Sequence, residues 1–430
     1  MTATDPHPAV RQPAAPSPVF ATAVDPARWP DVAAPPKSSF ARTTVTAAVL
    51  RGTLGRLPVR VRYPDGTTAG QGGPVLDIHD PKAFHTRVGR QGLIGFGESY
   101  MAAEWDAPDL IAVLTVLAQN AAQLIPAPLQ RLRPLWATRQ PRVQRNTPDG
   151  ARDNISRHYD LSNDLFALFL DDTLTYSSAV FRGFPASWDL LAAAQHRKID
   201  RLLDLAGIGA GTRVLEIGTG WGELAIRAAA RGARVTSLTL SREQRDLALR
   251  RIEAAGLTDR VRIDLRDYRE AQGTYDAVVS VEMIEAVGAE FWPEYFRTLD
   301  DRLLPGGRAA LQAITMPHDR MLATRDTFTW IQKYIFPGGL LPSVEAVAET
   351  VRDHTRLRVA RRHAYGAHYA ETLRLWRERF TERADEVAAL GFDDTFRRMW
   401  TLYLAYSEAG FRSGYLDVQQ YLFTKETPVR

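Results

Sequence analysis

Residues 214–222 read Val-Leu-Glu-Ile-Gly-Thr-Gly-Trp-Gly. An apolar strand ends on an acid, Glu216, and runs into glycines at 218, 220 and 222. Glycine there lets the backbone turn sharply and lets a flat polar ligand lie against the chain. The dinucleotide fingerprint needs its last two glycines three apart, whereas these are all two apart. That spacing, with an acid just before the first glycine, favours S-adenosylmethionine over NAD.

Working outward, strands alternate with amphipathic helices from about residue 195, which implies a parallel sheet. Strands are expected at Arg213–Ile217, Arg234–Leu240, Val261–Leu265, Ala277–Val281 and Arg308–Ile314. Helices are expected at 241–255 and 290–303, with a turn at Leu304-Pro305-Gly306-Gly307. After residue 320 the pattern is mostly helical and aromatic. Upstream, Val59–Tyr63 alternates like a strand and Pro64-Asp65-Gly66-Thr67 reads as a hairpin turn. Residues 81–125 look helical, broken at 92–97, with a helix able to start at Glu98. A further helix is expected from Asn154 through Leu170. The first 36 residues, rich in Pro and Ala, read as a disordered tail without the basic start and apolar middle of a signal peptide.

The chain has 430 residues, no cysteine and a net charge of +4. The missing cysteines exclude disulfides, thiolate metal sites and a cysteine nucleophile, and no metal site is expected. No run of about 18 apolar residues could span a bilayer. The chain reads as cytoplasmic. Arg131, Arg133, Arg139, Arg142 and Arg145 form a run with no acid, beside Leu135 and Trp136. It reads either as a solvated linker or as a patch for anionic headgroups, where each cation contributes about 1 kcal/mol. Nucleic acid is the weaker option, since no binding module accompanies it.

Open parallel sheets bind ligands beyond the carboxyl ends of their strands. Thr239, Ser241 and Gln244 end the second strand; with no acid there, Thr239 and Gln244 would hold ribose hydroxyls, while Ser241 is also a good helix N-cap. Asp267-Tyr268 ends the third and suits adenine, one accepting the amino group and the other stacking. The fourth ends on Val-Glu-Met-Ile-Glu-Ala-Val-Gly, residues 281–288. A desolvated carboxylate there could act as a general base, its pKa raised by burial. Glu282 reads equally as a helix N-terminal acid; Glu285 reads as functional.

Residues of about 50 to 425 resemble the cyclopropane-fatty-acid synthase family of S-adenosylmethionine-dependent enzymes. The likeness rests on GLIGFGESYM (92–101), HYDLSNDLF (158–166), YSSA (176–179), residues 214–222, 239–244 and 267–269, Glu285, and WIQKYIFPGGLLPS (330–343). The resemblance implies an α/β fold: a class I, Rossmann-like methyltransferase with a mostly parallel seven-stranded sheet in 154–430. Helices would form an apolar channel for an acyl chain. It also implies a smaller, mainly helical lipid-binding domain over 37–130, joined by an Arg-rich linker, 131–153. Cofactor contacts would come from Tyr159, Tyr176, Ser177, Glu216, Gly218, Gly220, Gly222, Thr239, Ser241, Gln244, Asp267 and Tyr268.

The family holds a bicarbonate, taken to be the base, between Cys, Glu, His, an Ile backbone group and Tyr. The corresponding positions here are Ser178, Glu285, Gln312, Ile314 and Tyr369. Ser can still hydrogen-bond an anion, but Gln for His removes a possible cation and weakens the case for bicarbonate. The usual Glu-His pair reads Glu285-Ala286. VEMIEAVG and LQAITM (311–316) resemble the branch that makes 10-methylene and 10-methyl fatty acids, the tuberculostearic acid pathway of actinobacteria. Tyr369, Trp330 and Tyr334 are candidates to stabilise a carbocation. The expected partners are unsaturated phospholipid, an anionic membrane surface on its inner face, a reductase for the methylene product, and further copies of the chain. The rival readings are an ordinary cyclopropane synthase, a lipid-binding scaffold without catalysis, and a small-molecule methyltransferase.

Overall fold

The computed structural model describes residues 23–121 and 162–426 and, between them, 141, 146, 147 and 150. The Arg131–Arg145 run and Tyr159 therefore lie outside the described residues.

The larger sheet is built from β5 (Arg213–Ile217), β6 (Arg234–Thr239), β7 (Val261–Leu265), β8 (Tyr275–Val281), β9 (Leu303–Thr315), β10 (Leu357–Ala364) and β11 (Asp417–Lys425). Its order is β10-β11-β9-β8-β5-β6-β7. β11 runs antiparallel to both neighbours, and the β5–β9 pairings are parallel. All five expected strands are present. Central strands covered by helices on both faces must be apolar throughout, and Val214, Leu215, Val278 and Val279 are fully buried. The expected turn at 304–307 is instead absorbed into β9. Pairing with β8 jumps from Tyr275↔Leu303 to Ala277↔Arg308, so the extra residues form a bulge with Gly306 at φ +78°.

A second, four-stranded sheet, β2-β1-β3-β4, lies upstream. It comprises β1 (Arg60–Arg62), β2 (Thr68–Ala69), β3 (Val75–Ile78) and β4 (Trp105–Asp106). The 64–67 hairpin turn is as expected, with Gly66 at φ +81° and the Asp65 carboxylate accepting from the Thr67 backbone N–H. Helices Phe40–Leu54, Pro81–Gln91, Leu93–Met101 and Leu110–Gln119 surround this sheet. The break falls at Gly92, φ +57°, and the next helix starts at Leu93 rather than Glu98. Of the expected 154–170 helix, the described part is Asn163–Phe169, capped by Ser162.

Two expectations change. The tail expected over 1–36 does not reach residue 36: Pro30–Ala33 is a helical turn whose Val32 is buried, fixed by Arg87 donating to the Asp31 and Val32 carbonyls. Among the described residues, the upstream region shares its core with the rest of the chain. Its Val59, Leu76, Phe84 and Trp105 belong to one apolar cluster with Phe166, Trp376, Trp400 and Tyr403. Gly97 makes that seam possible, since a Cβ there would stand 2.3 Å from the Trp330 ring; within the upstream region a Cβ on Gly95 would stand 2.1 Å from the Arg87 carbonyl oxygen.

Candidate active site

The cleft opens where the parallel strands end. It is lined by Tyr176 and Ser177, by Glu216, Gly218 and Gly220 at the end of β5, by Thr239 and Gln244 at the end of β6, by Arg266 and Tyr268 after β7, and by Glu282 and Met283 after β8. Gly218 (φ +95°) and Gly220 (φ +52°) hold backbone conformations that side chains resist. A Cβ on Gly218 would strike the Met283 side chain at 2.6 Å, while the space over Gly220 is open. The chain thus offers bare backbone to a ligand. Beneath it Glu216 is 2 % exposed and accepts from the Ser237 hydroxyl at 2.5 Å. Burial pushes its carboxyl up to about 8, opposed by that one hydroxyl. A carboxylate so short of donors suits a ligand that brings its own.

Three expected cofactor residues act from behind the wall. Gly222 packs its backbone against Ala248, 3.0 Å from where a Cβ would sit. Ser241 spends its hydroxyl capping the helix Arg242–Ala254, accepting from the Gln244 N–H. Asp267 accepts from the Arg269 backbone and pairs with its guanidinium at 3.2 Å. Arg269 in turn lies 4.9 Å over the Tyr268 ring. Asp267 therefore positions Tyr268 through Arg269.

At the Glu282 end of this cleft three of the five residues matched to the family's base site, Ser178, Gln312 and Tyr369, converge on a residue that the sequence left ambiguous. Glu282 Oε1 accepts from the Ser178 backbone N–H at 3.0 Å and the Gln312 amide at 2.8 Å. Its Oε2 accepts from the Tyr369 hydroxyl at 3.0 Å. Gln312 is itself oriented, because its Oε1 accepts from Gln420 Nε2 at 2.9 Å. Glu285 instead accepts from the Ile314 backbone N–H, and its other oxygen, Oε2, is buried without a partner. Removal from water raises both carboxyl pKa values. Glu285 reaches about 8, the negative charge of Glu282 adding to burial; at Glu282 the Lys198 charge and the three donors oppose the rise.

Lys198 was also unforeseen. It is fully buried, donates to the Ser177 hydroxyl at 2.5 Å, and is lowered to about 8 by burial against the pull of Glu282 and Asp171. A readable signal existed: Gln195 and Lys198 interrupt the buried stripe Leu191, Ala194, Ile199, Leu202 of the helix Leu191–Ala206. Trp330 and Tyr334, by contrast, are not among the residues that line the cleft. Their polar atoms serve the seam, Trp330 on Met101 and Tyr334 on Glu98. Tyr369 stays beside Glu282, its ring 4.7 Å from Phe411.

The bicarbonate implied by the resemblance does not fit this arrangement. The Ser178 and Ile314 backbone N–H groups, the Gln312 amide and the Tyr369 hydroxyl are already committed to carboxyl groups of the chain and the Ser178 hydroxyl to the Ala179 carbonyl, and an added anion would have to sit against Glu282.

The sheet order, the single antiparallel strand and the glycine-bordered cleft define a class I, S-adenosylmethionine-dependent methyltransferase. Residues 146–421 match the mycolic acid cyclopropane synthetase family. The chain is 58% identical over 415 residues, 94% of its length and 97% of the other, to the tuberculostearic acid methyltransferase UfaA1 of Mycobacterium tuberculosis. It is 33% identical to the cyclopropane-fatty-acyl-phospholipid synthase of Escherichia coli over 80% of this chain and 86% of that one. The crystal structure of mycolic acid cyclopropane synthase CmaA1 complexed with SAH and CTAB superposes with a TM-score of 0.58 at 30% identity, covering 66% of this chain and 99% of that one. The chain belongs to the mycolic acid cyclopropane synthetase family.

Proposed function

We propose that the protein transfers the methyl group of S-adenosylmethionine to the cis double bond of an unsaturated phospholipid acyl chain, an oleoyl chain, and releases a 10-methylene acyl product, precursor of the 10-methyl branch. The carrying observation is that Glu282 lines the cofactor cleft and accepts from the Tyr369 hydroxyl, and that Tyr369 belongs to a buried aromatic wall with Trp376, Trp400 and Phe411. The near full-length likeness to a tuberculostearic acid methyltransferase supports the branched product.

When bound, the cofactor supplies a sulfonium methyl, an electrophile that a double bond attacks. The chain supplies the rest. Gly218 and Gly220 present bare backbone, Glu216 meets the ligand's donors, Thr239 and Gln244 hold the ribose, and Tyr268 stacks on adenine. Tyr176 and Ser177 close the cleft beside Lys198. The wall excludes water, so the electrophile meets only the substrate.

The substrate lies in a membrane, and among the described residues no helix is long and apolar enough to cross one. Arg131, Arg133, Arg139, Arg142 and Arg145 supply the attraction to anionic headgroups that docks the protein peripherally on the inner face, with residues 37–130 as the lipid-binding part. A reductase saturates the methylene product, and the enzyme works as a homo-oligomer.

Incubation with S-adenosylmethionine and oleate-containing phospholipid vesicles, followed by proton NMR of the acyl chains, tests this reading. Vinylidene protons are expected. High-field ring protons would make it a cyclopropane synthase, and unmodified oleate would remove the reading altogether.

A further inference from the structure

Resting on that reading, we propose that Glu282 is the proton acceptor of the reaction: the chain carries in its own side chain the oxyanion that the family resemblance would assign to a bound bicarbonate. The backbone is set for this task. Glu282 adopts φ +50°, a region that costs a non-glycine residue about 1–2 kcal/mol. Its N–H is tied to the Gln312 carbonyl at 2.8 Å. The turn breaks away from β8 there and delivers the carboxylate to the floor of the cleft, among the residues that line it.

The donors around it are those expected around the missing ion. The residue at the family's Cys position gives its backbone N–H, the residue at the His position gives an amide, and the Tyr gives its hydroxyl. All three are neutral, and the Gln312 amide cannot become a competing acid or base. Its orientation is fixed by Gln420, so its NH2 group faces the carboxylate. Glu285 is the alternative base. It lies beside a second carboxylate, one of its oxygens has no partner, and its pKa near 8 leaves it protonated at neutral pH. Of two carboxyl groups in one desolvated site, the one with an unpartnered oxygen gives up its charge first, and the one with three donors is the better held as an anion.

The step balances without a further reagent. After methyl transfer and a hydride shift from the methylated carbon, the cation sits on that carbon. A C–H bond of the added methyl breaks, its electron pair becomes the exocyclic double bond, and the proton goes to a Glu282 oxygen. The carboxylic acid returns that proton to water once product leaves.

The test measures lipid methylation in buffers stripped of carbon dioxide and in buffers with added bicarbonate, alongside Glu282→Gln and Glu282→Ala. Calorimetric S-adenosylmethionine affinity and a thermal melt report on the fold independently of turnover. Wild type is expected to work equally well with and without bicarbonate. Glu282→Gln is expected to lose at least about 100-fold in kcat while keeping its cofactor affinity. Added acetate or bicarbonate should restore part of the Glu282→Ala activity, since truncation opens the space the carboxylate filled. A wild type that stops in carbon-dioxide-free buffer overturns the inference, even if Glu282→Gln fails to fold. So does a folded Glu282→Gln that keeps a tenth or more of the wild-type rate. A wild type making no methylated lipid in either buffer overturns the proposed function instead, and this inference with it.

Discussion

Glu98 and Glu282 are both carboxylates pulled out of bulk water, one in the seam between the upstream region and the aromatic cluster, the other on the floor of the cleft. The seam surrounds Glu98 with cations. Lys333 donates to it at 2.5 Å, Arg87 lies 3.7 Å away, and the Tyr334 hydroxyl adds a bond at 2.8 Å. Arg87 also pairs with Glu104 at 2.8 Å. The cleft gives Glu282 an amide, a phenol and a backbone N–H. A buried ion pair has its charge neutralised and cannot take up a proton cheaply. Glu282 is hydrogen-bonded only by neutral donors, the buried Lys198 charge acting on it from its place on Ser177, and burial raises its basicity. The same residue type thus serves as a fastener in one place and a base in the other, and its partners decide which.

The sharpest way to break that comparison is to remove the shared cation of the seam. Arg87 is 1 % exposed and holds Glu98, Glu104 and the Asp31 and Val32 carbonyls together. Arg87→Met leaves the buried Glu104 without its cation and Glu98 with Lys333 alone, and is expected to cost about 3–5 kcal/mol of stability. Chemical denaturation measures the loss. Cofactor affinity of the fraction still folded should match wild type; a stable variant with weakened cofactor binding would mean that the seam belongs to the site.

The next effect is a pH dependence centred on the cleft. Glu216 and Glu285 stand near 8 in the folded chain against an ordinary carboxyl value of 4.5. Folding therefore favours their protonated forms. The stability they contribute is fully present below about pH 4.5 and drains away as pH rises through about 8. Lys198, lowered to about 8, acts in the opposite sense only above that pH. Glu285→Gln removes one titrating group, so its Tm should gain several degrees on wild type between pH 5 and pH 8.5 in cofactor-free protein. A constant gap across that range would show that Glu285 is not held protonated.

How much of this was legible in the sequence differs between the same two places. The strands β5 to β9 were readable because a parallel strand buried on both faces must be a continuous apolar run bounded by turns. Glu216 and the glycines were readable because the turn needs those residue types at that spacing. Glu282 and Glu285 stood three apart at the end of one strand, equally apolar in their surroundings. Which of them takes the donors depends on a single backbone dihedral at Glu282, and no local pattern encodes it. The seam was hidden for another reason. Arg87, Glu98 and Lys333 meet only in three dimensions, and the glycines of GLIGFGESYM look like a flexible break until Trp330 is seen lying on Gly97. Tyr334, an aromatic in a helical aromatic stretch, gave no sign that its hydroxyl was the feature that mattered.

A smaller effect separates backbone from charge in the cleft. Gly218→Ala forces a methyl group toward Met283 at a φ of +95° that alanine resists. Because Gly218 lines the cleft, the relaxation moves the floor on which the cofactor lies. Affinity for S-adenosylmethionine is expected to fall at least about tenfold, roughly 1.4 kcal/mol. Unchanged affinity by calorimetry would mean that the ligand does not rest on this turn.

The finest test returns to the seam and asks whether Glu98 is held by its cations or by its phenol. Tyr334→Phe removes one hydrogen-bond donor of two and leaves Lys333 and the Arg87 charge in place, and the ring still packs against Trp330 at 5.8 Å and Trp29 at 6.4 Å. The expected cost is about 1 kcal/mol, the net worth of one hydrogen bond. Methyl transfer should be untouched, because Tyr334 faces Glu98 and not the cleft. A loss of turnover without a loss of stability would return Tyr334 to the cation-stabilising role that its sequence position suggested, and the division between fastener and base would fail at the residue where it is easiest to check.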